Sequence, residues 1–97
     1  LIDEATANKN ADEAYQKYLL AGKTFYFVSH KYPHPTLMEV RFDETLSKAS
    51  YFKDSVAVSE NPLDLDGSQI TQAGDASIVF TAEEKQGYIL VHAEKNG

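Results

Sequence analysis

No cysteine occurs anywhere in the chain, which rules out disulfides, thiolate metal ligands and a cysteine nucleophile. Tryptophan is missing as well, so any aromatic core has to be built from phenylalanine and tyrosine. Arg41 is the sole arginine, and nine basic residues stand against fifteen acidic ones for a formal net charge of −6. Nucleic-acid binding rests on clustered cations that neutralise phosphates, so this balance argues against it. The same charge disfavours binding to an anionic membrane surface. No apolar run approaches the roughly 20 residues that a spanning helix needs. No GxSxG is present, and the serines and histidines have no triad spacing.

What remains is an ordinary globular composition: 97 residues, 42% hydrophobic, the size of one domain with one modest core. The chain begins at Leu1 rather than Met, which reads as a piece of a larger secreted or multidomain protein. Residues 1–9, polar and small, read as a linker or flexible arm. Residues 10–97 read as a single domain, a helix followed by a β-meander.

The helix comes first. Asn10 and Glu13 have capping-box spacing, and Ala11, Ala14, Tyr15, Tyr18 and Leu19 form one apolar stripe at helical period. Gly22 ends the helix by supplying a left-handed position. The stripe predicts packing on a sheet through Tyr15, Tyr18 and Leu19. A dense β pattern follows at Lys23–His30, with Phe25 and Phe27 on one face and Tyr26 and Val28 on the other, the second face expected to lie under the helix. Two prolines, Pro33 and Pro35, break that strand. Thr36–Phe42 alternates again, with Met38, Val40 and Phe42 on one face. Leu46–Lys53 reads as a third strand, and Ser55–Ser59 as a fourth or as the far half of a bent third.

Asp66-Gly67 reads as a two-residue hairpin turn with Ser68–Thr71 returning, and Gln72–Asp75 as another turn. Ala76–Ala82 is a strand, Glu83–Gly87 a polar loop, and Tyr88–Ala93, the most hydrophobic strand, is expected at the sheet's centre. Residues 95–97 read as a tail. The fold class that follows is mainly β: an antiparallel meander, either a curled sheet or a small or partial barrel, with one N-terminal amphipathic helix.

Candidate chemistry is sparse. Gly22-Lys23-Thr24 matches the tail of a phosphate-binding loop, but that loop opens a helix after a strand, and here the order is reversed. Asn61, Asp64, Asp66 and Gly67 echo a calcium loop, yet Pro62 and Ala73 fall where its first and last carboxylates belong. Asp43/Glu44 and Glu83/Glu84 are neighbouring carboxylates of turns. His30, His34 and His92 are the only groups whose ordinary pKa lies near neutrality, and sequence alone does not bring them together; His92 shares strand parity with Tyr88 and Leu90, on a face expected in the core. Tyr26, Tyr32, Tyr51 and Tyr88 are the remaining candidates for ligand contact, since tyrosine joins an apolar face to a polar tip. No catalytic residue, metal site or cofactor is expected.

Residues 18–28, YLLAGKTFYFV, resemble the entry to small bacterial lipocalin-like (calycin-like) secreted β-domains. There a short helical turn precedes a glycine and an aromatic-rich first strand, usually Gly-x-Trp; here Trp is absent and Phe25 falls one place later. The resemblance implies a secreted β-domain of lipocalin-like architecture. Two functional expectations result. The first is a non-catalytic binding or accessory module of a larger secreted or cell-surface bacterial protein, extracellular or periplasmic, with a protein or small-molecule partner. The alternative is a lipocalin-like carrier of a small apolar ligand. Against the carrier stands chain length: Phe25, Phe27, Met38, Val40, Phe42, Ile78, Phe80 and Leu90 are expected to fill the core rather than line a cavity.

Overall fold

The computed structural model describes residues 1–73 and 78–95. One helix, α1 (Glu4–Leu20), precedes seven strands: β1 (Thr24–Ser29), β2 (Thr36–Phe42), β3 (Lys48–Lys53), β4 (Val56–Asp66), β5 (Gln69–Gln72), β6 (Ile78–Lys85) and β7 (Tyr88–Lys95). Every strand pairs antiparallel with its neighbours in sequence, in the order β1-β2-β3-β4-β5-β6-β7. The sheet curls into a half-barrel, as the meander pattern predicts. β1 and β7 are its two edges. The central position expected for the hydrophobic Tyr88–Ala93 segment is therefore corrected. Hydrophobicity records how many faces of a strand are covered, and it carries no information about strand order.

The helix begins at Glu4 rather than Asn10. Asp3 is its N-cap, and Asp3 Oδ1 accepts the Thr6 N–H at 2.7 Å, satisfying a donor that the first turn leaves free. That bond also holds the Asp3 carboxyl below its ordinary value. Much of the stretch expected as a linker is thus helical. At the other end Ala21 caps, Gly22 takes φ 72°, and the Lys23 N–H closes the turn on Leu20 O at 3.1 Å.

The buried face of α1 is Gln16, Leu19 and Leu20. Tyr15 and Tyr18 are 45% and 68% exposed and stack on each other with centroids 6.4 Å apart, so the expected packing through these tyrosines is wrong for both. The reason is Gln16. Its Nε2 donates to Ala82 O at 3.0 Å, and its Oε1 accepts the Ala82 N–H at 2.9 Å. Among the described residues β5 pairs β6 at Phe80 and Val79, and β5 starts at Gln69, so Ala82 lies past its end. The Gln16 amide supplies the two hydrogen bonds that the next residue of a longer β5 would make. That pairing rotates the helix until the tyrosines face water. The helix contacts β6 and β4, and Tyr26 and Val28 on the outer face of β1 stay exposed instead of lying under it.

β2 matches its expected span, and Met38, Val40 and Phe42 are buried. Asp54 and Ser55, at φ 50° and 65°, form a two-residue turn between β3 and β4, the conformation that matches strand twist in tight hairpins. Ser55–Ser59 therefore belongs largely to a separate fourth strand. A register shift opposite Tyr51/Phe52 leaves Val58 unpaired as a bulge. β4 is a corner: residues as far as Pro62 pair with β3, and Leu63–Asp66 pair with β5. Pro62, with no N–H to offer, sits where the strand changes partners, and its carbonyl accepts the Ala73 N–H at 2.8 Å. The β4–β5 turn is Gly67-Ser68, one residue later than expected, with Gly67 at φ 62°. Its N–H is held by Glu13 Oε2 at 3.0 Å. Glu83–Lys85 continue β6, so the expected polar loop shrinks to Gln86-Gly87. The turn expected at Gln72–Asp75 includes Gly74 and Asp75, which lie outside the described residues, as do Asn96 and Gly97 of the expected tail.

Between β2 and β3, Asp43 organises the turn. Oδ1 accepts the N–H groups of Ser47 and Lys48 at 2.7 and 3.0 Å, and Oδ2 accepts the hydroxyls of Ser47 and Thr45 at 2.6 and 2.9 Å. This cage holds Leu46 at φ 54° with its side chain buried in the core, a left-handed position that a leucine takes only where its surroundings compensate. Burial alone would raise the Asp43 carboxyl, but the bonds from Ser47, Lys48 and Thr45 outweigh it and bring the value from 3.8 down to about 2. A depressed folded value means stability that is present above the ordinary value and lost as pH falls through the folded one. Asp43→Ala is therefore expected to cost about 1–2 kcal/mol at pH 7, as loss of a cap does. The gap to the parent should close between pH 4 and pH 2. Urea denaturation at both ends of that range is the check; a gap that persists at low pH would mean the carboxylate contributes nothing.

Candidate functional site

Strand parity directs Phe25 and Phe27, then Met38, Val40 and Phe42, then Tyr51 onto the concave side of the half-barrel. From the far half come Ile78 and Phe80, and from β7 Ile89 and Val91. Leu19 and Leu20 join Phe42, Leu46, Ala49 and Ile70 in one buried cluster, closing the end of the half-barrel nearest the helix. Aromatic edges continue that closure, Phe25 to Phe42 at 5.8 Å and Phe42 to Phe80 at 6.4 Å.

Beyond that cluster the sheet does not fill. A trough of about 750 Å³ runs between the β1 and β7 sides, its walls largely aliphatic and aromatic. Of the eight residues expected to fill the core, Met38, Val40, Phe42 and Phe80 are buried in it and Phe25 and Ile78 pack against it, while also bordering the trough. Phe27 is left partly exposed on the trough wall and Leu90 partly exposed on the outer face of β7, and for these two the expectation is corrected. Leu19, Leu20, Leu46 and Ile70 are the largest fully buried side chains, and they occupy the end of the half-barrel that the helix closes. Phe25 and Phe27 are left partly exposed beyond it.

Two polar pairs line the trough. In one, Asn61 Nδ2 donates to Ser59 Oγ at 3.3 Å; the other lies deeper. Tyr51 Oη donates to Gln72 Oε1 at 2.6 Å, and Gln72 is 5% exposed. Phe27 meets the Tyr51 ring edge-on at 6.1 Å. Burial pushes the Tyr51 phenol up to about 12, so it stays a neutral donor at physiological pH. The mouth of the trough is different. Lys31 and Tyr32, from the loop after β1, line it, and Lys53 Nζ sits 4.2 Å from the centroid of the Tyr32 ring. Lys53 shares strand parity with Tyr51, which places it on the concave face.

Of the four tyrosines singled out in the sequence, Tyr32 and Tyr51 reach the trough; Tyr26, on the outer face of β1, and Tyr88 are 68% and 59% exposed and do not turn their rings into it. Gln72, Lys31 and Lys53 were not legible as site residues. A lysine in a loop or at a strand end carries no sequence signal that separates it from any solvated surface charge, and the glutamine falls at the boundary of the turn expected at Gln72–Asp75. His30 and His34 are exposed on the loop after β1. His92 is exposed on the outer face, where Nε2 lies 3.2 Å from Glu83 Oε2; Lys85 first, then His92, hold the Glu83 carboxyl below its ordinary value. The parity that groups His92 with Tyr88 and Leu90 holds, but the face is reversed: Ile89 and Val91 pack against the core. Among the described residues no three acidic or histidine side chains converge to hold a metal ion, and no helix is long and apolar enough to cross a membrane. Comparison of the chain with known protein families, curated sequences and solved structures finds no match.

Proposed function

We propose that this chain is a non-catalytic binding module whose trough takes a small, predominantly apolar ligand. One observation carries the reading: a concave volume of about 750 Å³, within the roughly 300–1,000 Å³ typical of ligand sites, walled by the edges of core residues and by Phe25 and Phe27, which the core leaves partly exposed. Its polar groups away from the mouth include a neutral phenol, two amides and a hydroxyl bonded to each other in pairs, and no carboxylate or imidazole stands among the described lining to act as a base. With the lipocalin-like resemblance of residues 18–28, the proposal extends to an extracellular or periplasmic module, one part of a larger secreted or cell-surface protein.

Titration with the neutral fluorophore N-phenyl-1-naphthylamine tests this reading. Saturable one-to-one binding in the micromolar range is expected, which corresponds to about −0.4 kcal/mol per non-hydrogen atom. A linear, non-saturating response at protein concentrations well above that range would end the proposal.

A further inference from the structure

We infer that the trough's ligand is a single-chain amphiphile with an anionic head, bound as a free monomer, its chain along the apolar walls and its head at Lys31 and Lys53; this rests on the apolar-trough reading above. The chain carries fifteen acidic residues and nine basic ones, so cations gathered at the mouth of the apolar trough run against its overall charge. Lys9, Arg41, Lys48 and Lys85 each lie within 4 Å of a carboxylate. Among the described residues no carboxylate comes that close to Lys31 or Lys53, nor to Lys17 and Lys23, which do not line the trough. Asp54 lies in the tight turn after Lys53 without an ion pair to it, and Glu94 shares the outer depression with His92.

Lys53 does not wander freely. Its ammonium rests on the Tyr32 ring, a cation–π contact that fixes the charge at the rim at little desolvation cost. The Lys31 N–H is anchored by Ser29 Oγ at 3.2 Å. From Phe25, beside the closed end, to Ser29 at the rim, strand rise gives about 13 Å, the extended length of a chain of roughly ten carbons. A carboxylate on such a chain reaches the two ammonium groups while its tail lies against Phe25, Phe27, Met38 and Phe80. A neutral head gains nothing there, and a cationic one is repelled. Tyr51 and Gln72, already bonded to each other, ask nothing of the tail.

Calorimetric titration with decanoate, decanol and decyltrimethylammonium, each below its micelle or solubility limit, separates the possibilities. Decanoate is expected to bind about five- to tenfold tighter than decanol, and decyltrimethylammonium weakest, which is the scale of two solvent-exposed charge contacts. The preference should shrink in 0.5 M salt, where screening acts over a few ångströms. The double variant Lys31→Gln/Lys53→Gln should bind decanoate and decanol alike. Equal affinity for all three probes in the parent protein overturns the anionic head and leaves the apolar trough standing; no binding of any probe overturns both. A decanoate preference that survives the double substitution overturns the assignment to these lysines. The three-probe comparison needs no variant, so it decides even if the double variant does not fold. Co-sedimentation with phosphatidylglycerol vesicles, without binding of free decanoate, would overturn the monomer and point to a lipid surface.

Discussion

Gln16→Leu is expected to lower the stability of this protein by about 4 kcal/mol and its melting temperature by about 20 °C. Leucine fills similar space, so packing is not the issue. The substitution strips Ala82 of partners for both its N–H and its C=O, which Gln16 holds at 2.9 and 3.0 Å in a buried site. Each orphaned backbone group costs about 1–3 kcal/mol, against a total of roughly 5–15 kcal/mol for a domain of this kind. Gln16→Glu separates hydrogen bonding from shape. Its carboxylate accepts the Ala82 N–H but sets a second oxygen against Ala82 O. Burial and that carbonyl raise the folded pKa above an unfolded value of about 4.3. The stabilisation is therefore full below about 4.3 and is lost as pH rises through the folded value. Thermal melts at pH 7.5 and pH 4 should show this variant far below the parent at the higher pH and nearer to it at the lower. A Gln16→Leu melting point within a few degrees of the parent would disprove the bridging role.

Leu20→Ala and Phe27→Ala should differ in kind as well as in size. Leu20 is 0% exposed within the closed end, and emptying such a site costs about 2–5 kcal/mol, part transfer and part cavity. Phe27 is 38% exposed on the trough wall, so its removal should cost under about 1 kcal/mol. Affinity reverses the ranking. Phe27→Ala is expected to weaken N-phenyl-1-naphthylamine binding about tenfold, the worth of burying one aromatic face. Leu20→Ala, measured where it is still folded, should leave it unchanged. Urea denaturation and probe titration on the same samples give both numbers. Equal stability losses would mean the trough is core and not a site.

These contrasts mark where the sequence was readable. Alternation in Thr36–Phe42 placed β2 and its buried face, because strand parity and a one-sided core leave a single solution. Gly22 stopped the helix where expected, because few residues other than glycine take that conformation. The helix face misled because a search for apolar periodicity passes over a polar residue, and Gln16 is buried for its amide. The helix start was ambiguous, since Asp3 and Asn10 offer the same capping chemistry and the choice depends on the whole turn. The Asp54-Ser55 turn carries no glycine to announce it. The trough was invisible for a different reason. Whether a curled sheet fills or stays open depends on curvature and on which end the helix covers, neither of which is local to any stretch of chain.

The meander order also shapes the route by which this chain assembles. Bringing two points together costs entropy that grows as the logarithm of the chain between them. Each hairpin therefore closes cheaply, its strands meeting across a short connection. Gln16 and Ala82 are 66 residues apart, and joining them in an unstructured chain costs about 3 kcal/mol more than closing a two-residue turn. That difference shrinks with every hairpin already made, because paired strands shorten the path between the two ends. The peptide-like embrace of Ala82 by Gln16 is thus a late contact, made affordable by the zipping of the strands before it.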